Sequence, residues 1–170
     1  MTYFDDLLEK TGGKERSVRW FRDKIKEMGE PPTRQLVAEG LITQRPQYGR
    51  MNFFYYDAKG KNELPYYDRF PLVFPFKKVP KGWLGINMHY LPLPLRAKLM
   101  DNLYDLSSNR KYDESTRLRL NYEVLNGAAK FKLFKPTIHR YLISKVESRM
   151  VYINPSEWDI ALFLPLERFY

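Results

Sequence analysis

Two periods of apolar spacing divide the chain. From Met51 to Tyr56 large apolar and aromatic side chains follow one another, which suits a strand. Asp57-Ala58-Lys59-Gly60-Lys61 is a turn composition. Leu72 to Val79 reads as a second strand, with Pro75 placing it at an edge or a bulge. Pro80-Lys81-Gly82 reads as a tight turn, and Trp83 to Tyr90 as a third strand with clear alternation. Leu84, Ile86, Met88 and Tyr90 share one face, assigned to the core, while Trp83, Gly85, Asn87 and His89 share the other. Residues 51–92 therefore predict a small antiparallel sheet or SH3-like half-barrel.

Beyond residue 93 the spacing changes to threes and fours. Leu95, Leu99, Leu103 and Leu106 mark one helix, entered through Pro92 and Pro94. Asp113 or Ser115 caps a second, which carries Leu118, Tyr122 and Leu125 and ends at Gly127. Thr137 is expected to cap a third, with Ile138, Leu142, Val146 and Met150 spaced by four. Val151-Tyr152-Ile153 reads as a short returning strand, and Pro155-Ser156-Glu157 opens a last helix. The sum is an α+β domain over residues 51–170, its sheet packed by C-terminal helices.

Residues 1–50 read as an N-terminal helical arm and linker. Phe4, Leu7 and Leu8 suggest a short helix ended by Gly12-Gly13. Residues 15–28 carry Val18, Phe21, Ile25 and Met28 at helical spacing, closed by Gly29 and Pro31-Pro32. Thr33 is positioned to cap a turn carrying Leu36, Val37 and Leu41, and residues 43–50 show no period. Such short pieces gain stability only by lying on another surface. The expectation is an arm that extends from the domain and docks on a neighbouring subunit.

Composition narrows the chemistry. No cysteine is present, which excludes disulfides, thiolate metal sites and a cysteine nucleophile. The N-terminal residues lack the basic region and apolar run of a signal peptide, and no stretch approaches a membrane span. The 27 aromatic residues (13 Tyr, 11 Phe, 3 Trp) exceed what a core of this size needs, so a minority is expected at contacts. The net charge of +9 is unevenly spread. Residues 1–50 are nearly neutral, whereas Lys130, Lys132, Lys135, Arg140, Lys145 and Arg149 face only Glu147 within residues 130–149. With His139, the residues Lys130, Lys132, Lys135, Arg140 and Arg149 are the candidates for nucleic-acid contact.

Nothing assembles into a catalytic constellation. His89 and His139 stand apart, with no second histidine or carboxylate at a metal-ligand spacing. Lys10-Thr11-Gly12-Gly13-Lys14 is a turn composition rather than a phosphate loop, and no Gly-x-Ser-x-Gly elbow occurs. The sequence predicts no enzyme activity, no cofactor and no metal. The most distinctive run, Leu64 to Phe76, holds aromatic residues extended between three prolines. It joins the arm in the set of expected docking residues: Phe4, Leu8, Trp20, Phe21, Tyr66, Tyr67, Arg69, Phe70 and Trp83.

Three segments carry a resemblance: Tyr66-Tyr67-Asp68-Arg69-Phe70-Pro71, Gly85-Ile86-Asn87-Met88-His89-Tyr90-Leu91-Pro92, and Pro155 to Pro165. Over about residues 51–170 the chain resembles a small virion-associated protein of T-even-like contractile-tailed phages and their cyanophage relatives. The resemblance implies a structural component of the particle, made in the bacterial cytoplasm, that works by docking onto other phage proteins. A tail baseplate, a neck and DNA-end protection all remain open as its station. The favoured expectation is protein docking at baseplate or neck. The alternative is a DNA-binding protein that holds or protects the packaged genome end.

Overall fold

The computed structural model describes residues 4, 6–7, 13–29, 42–43, 46–57, 68–107 and 111–163. Tyr66, Tyr67, Leu8 and the expected turn over Thr33 to Leu41 lie outside them. The elements are α1 (Gly13–Gly29), β1 (Ile42–Thr43), β2 (Met51–Phe53), β3 (Leu72–Val79), β4 (Gly82–Asn87), α2 (Leu93–Ser107), α3 (Glu114–Ala128), β5 (Ile138–Leu142), β6 (Met150–Ile153) and α4 (Trp158–Ala161). The fold is α+β, as the periodicity predicts. The strands form one antiparallel sheet in the order β1-β6-β2-β3-β4-β5.

The β3–β4 hairpin follows the sequence closely. Val79 pairs with Gly82, so the turn is Pro80-Lys81, with Lys81 at a φ of 65°. Gly82 admits no side chain, since a Cβ there would collide with the Tyr141 carbonyl on the neighbouring strand. The register shifts between Pro75 and Lys77, the bulge that an unpaired proline nitrogen requires. β4 is shorter than expected. It ends at Asn87, whose side-chain oxygen accepts the His89 N–H and turns the chain into a 3₁₀ helix over Met88–Tyr90.

Two expectations are corrected. The segment Ile138 to Met150 is not a helix. It forms β5, a 3₁₀ turn over Ile143–Lys145, and the start of β6. A spacing of four is an even number, so it places residues on one face of a strand as well as of a helix. The vacant hydrogen-bonding edge of β4 decides between them, with Ile86 paired to Ile138 and Trp83 to Tyr141. The arm, likewise, does not project. Phe4 is fully buried and Trp20 and Phe21 nearly so, all within the main core. Trp20 stacks on Phe53 at 5.9 Å between ring centroids, Phe4 packs edge-on to Tyr104, and β1 pairs with β6.

Both faces of the sheet are covered. On the first lie Met51, Phe53, Leu72, Phe74, Ile86 and Val151, packed by Leu99, Met100 and Leu103 of α2, by Trp158 and by the arm. On the second lie Phe54, Tyr56, Val73, Trp83, Tyr141 and Met150. The chain closes over this face through a Tyr56–Val146 bridge, with the Asp57 N–H donating to Lys145 and the Glu147 N–H to Tyr55. The face opposite the one assigned to the core is thus an aromatic core of its own.

Candidate nucleic-acid interface

Between α3 and β5 the chain descends through successive tight turns. The Lys130 N–H donates to the Gly127 carbonyl (3.2 Å), Phe131 to Ala128 (3.0 Å), Phe134 to Phe131 (3.0 Å) and Thr137 to Phe134 (3.0 Å). The Thr137 hydroxyl also donates to the Phe134 carbonyl. These bonds fix the backbone, and Phe134 roots it in the core. The neighbours of Phe134 turn outward. Phe131 is 66% exposed and Leu133 68%, and Lys130, Lys132 and Lys135 are exposed around them. No carboxylate occurs between Glu123 and Glu147. Among the described residues no salt bridge neutralises the three lysines. An ordered, uncompensated basic segment interleaved with exposed apolar side chains is the composition that binds nucleic acid, with cations for phosphate and flat or apolar groups for bases.

Arg140 extends this surface along β5. It is exposed and donates to the Pro80 carbonyl at 2.6 Å. Leu84 pairs with both Arg140 and Lys77, so these three side chains form one row across the sheet. Lys77, Lys78 and Lys81 are exposed around the hairpin tip. They lie outside the cationic excess of residues 130–149 and are not among the contacts expected from sequence. Their signal is present, since the apolar run of β3 stops at Phe76 and three lysines follow within five residues. β5 is also an edge strand, and charge there discourages pairing with other chains.

The other two nucleic-acid candidates do not join the group. His139 is half-buried, its ring 4.9 Å from that of Tyr90. Burial lowers its pKa, against a smaller upward pull from Asp68, so it adds no cation at neutral pH. Arg149 stands just before β6, four strands from β5 in the sheet order.

The expected docking residues fare differently again. Phe4, Trp20, Phe21 and Trp83 are buried within the molecule, and a buried ring offers no surface to a neighbour. Phe70 is half-buried and packs on Phe21, Phe53 and Tyr55. Arg69 is half-buried, and its carbonyl accepts the Tyr56 N–H at 2.9 Å. The proline-bracketed run thus packs, where described, on its own sheet.

Beneath the second face lies a buried polar cluster that the sequence does not announce. The Asp68 carboxylate meets His89 Nδ1 at 2.5 Å and accepts from Asn87 Nδ2 at 3.1 Å, while its other oxygen accepts the Phe70 N–H. Asn87 Nδ2 also donates to the Tyr141 hydroxyl at 3.1 Å. Burial, with Asp68 adding to it, pushes the Tyr141 pKa well up. These partners are 19 to 54 residues apart in the chain, beyond the reach of local patterns. Sealed from solvent, the cluster ties the 68–70 turn, β4 and β5 together. Arg96 acts similarly on the opposite side. Its buried guanidinium donates to the carbonyls of Leu162, Leu91 and His89.

Residues 7–170 match the family model of the phage T4 terminal DNA protecting protein. Comparison with curated proteins gives no match, and comparison with solved structures gives none. The match spans nearly the whole chain, including the arm. The chain belongs to the phage T4 terminal DNA protecting protein family.

Proposed function

We propose that this member of the family binds the end of a linear DNA duplex within a T4-like phage particle and shields it, with residues 130–135 as the contact segment. The observation that carries the reading is the ordered run from Lys130 to Lys135. Three cations without an acidic partner among the described residues and two exposed apolar side chains stand on a backbone pinned by its own turns. Lys77, Lys78, Lys81 and Arg140 continue the positive surface along the duplex. The family's description supports this reading over protein docking at baseplate or neck. The aromatic residues assigned to docking support it too, because those described are spent largely inside the fold.

In this reading the protein acts by occupancy, without turnover. A sealed Asp68–His89 pair holds strands together rather than meeting a substrate. Other phage proteins remain its partners in the particle, and DNA is the partner the surface fits.

The test is digestion of a blunt linear duplex by an exonuclease. Wild-type protein at saturation retards degradation. The triple variant K130A/K132A/K135A, which leaves the core untouched, fails to do so at moderate salt. Equal digestion with and without wild-type protein overturns the reading.

A further inference from the structure

Shielding an end requires telling an end from the interior of a duplex, and lysines alone do not. Phosphates are the same along the whole length, so a purely cationic surface binds everywhere. An end differs in one respect. Its terminal base pair exposes a flat apolar face that every internal pair hides by stacking. Phe131 and Leu133 are among the most exposed large apolar side chains of the described residues. They alternate with Lys130 and Lys132 and precede Phe134, which is half-buried and packs against the core. Exposed apolar side chains inside a cationic segment are costly for solubility and fit a ligand that is apolar at its centre and anionic at its rim. A duplex end has that form.

Resting on the DNA-end reading above, we infer that Phe131 and Leu133 form an apolar cap on the terminal base pair, while Lys130, Lys132 and Lys135 hold the phosphates flanking it. Stacking is indifferent to which base is presented, so the cap reads the presence of an end and not its sequence. Phe131 and Leu133 set specificity, and the lysines set affinity. The backbone is already fixed by the 127–137 turns, so little order must be created on binding.

The experiment uses the full-length chain and a blunt linear duplex carrying 2-aminopurine at its terminal or at an internal position. A covalently closed circle of the same sequence serves as competitor. Wild-type protein alters the fluorescence of the terminal probe and leaves the internal one unchanged. It prefers linear DNA over the circle by about tenfold or more, the scale of one base stacked on an aromatic side chain. The F131A/L133A variant keeps its salt dependence and its melting temperature but binds linear and circular DNA alike, and F131W retains the preference. Wild-type protein without end preference, or a double variant that retains it, overturns the inference while DNA binding stands. Wild-type protein that binds neither DNA removes the parent reading, and the inference with it. A double variant that still protects ends but no longer enters particles assigns the two side chains to a protein neighbour and overturns the inference as well.

Discussion

The arm and the 130–135 segment are built from the same kinds of residue, aromatic and aliphatic side chains among cations, and the structure puts them to opposite uses. In the arm, Phe4, Trp20 and Phe21 turn inward and polar partners elsewhere in the chain complete the fit. Asp101 accepts the Phe4 N–H (3.0 Å), Glu157 accepts from the Trp20 indole (3.3 Å) and pairs with Lys24 (3.4 Å), and Asp159 pairs with Arg16. In the 130–135 segment Phe131 and Leu133 turn outward, and no described acid meets the lysines. The difference teaches where to look for function in a basic chain. Cations with intramolecular acidic partners stitch the fold, and cations without them, beside exposed apolar groups, are left for a ligand.

The comparison breaks most readily at the arm. Trp20→Ala or Phe4→Ala should cost about 3–5 kcal/mol in denaturant unfolding, the range for truncating a buried aromatic. A loss below about 1 kcal/mol, well under that range, would mean the arm does not belong to this core. Ile86→Ala, at the centre of the first face, should cost about 2–5 kcal/mol. Near-neutrality there would contradict its burial in the first core.

The lysines should behave oppositely. K132A/K135A should change stability by no more than about 0.5 kcal/mol, as ordinary surface substitutions do. It should also lower the log–log salt slope of DNA binding by about 0.9 for each phosphate contact removed. An unchanged slope with normal folding would detach these residues from DNA.

The smallest effect concerns pH. Burial lowers the His139 pKa below 6.5, so the unfolded chain takes up the proton more readily than the folded one. Its contribution is therefore present above pH 6.5 and is lost as the pH falls below that value, towards the depressed folded pKa. Melting between about pH 7.5 and 5 should show a shallower acid loss in His139→Gln than in wild type. Parallel curves would contradict the assignment.

What the sequence reveals and conceals follows from the range of each interaction. β3, the Pro80-Lys81 turn, the Asp113 cap and both helices α2 and α3 are legible because their determinants lie within a few residues: an apolar run, a proline, apolar residues at helical spacing, and a cap whose carboxylate accepts the Thr116 N–H at 2.7 Å. β5 is misread because Ile138, Leu142, Val146 and Met150 satisfy two periods at once, and only the distant edge of β4 chooses. The arm is misread for a related reason. Its apolar residues announce burial without saying against what, and the answer, Phe53, Asp101 and Glu157, lies far along the chain. Of the candidate site, the cationic excess at residues 130–140 is legible from charge alone. The exposure of Phe131 and Leu133 is not, because nothing local separates them from the core-packed Phe134.

Backbone hydrogen exchange of the full-length chain, with and without a blunt linear duplex, tests the contrast between the two regions most directly. Added protection is expected over residues 130–140 and the Lys77–Lys81 hairpin tip, with no change over residues 13–29. Protection that appears in the arm while residues 130–140 exchange as before would contradict it.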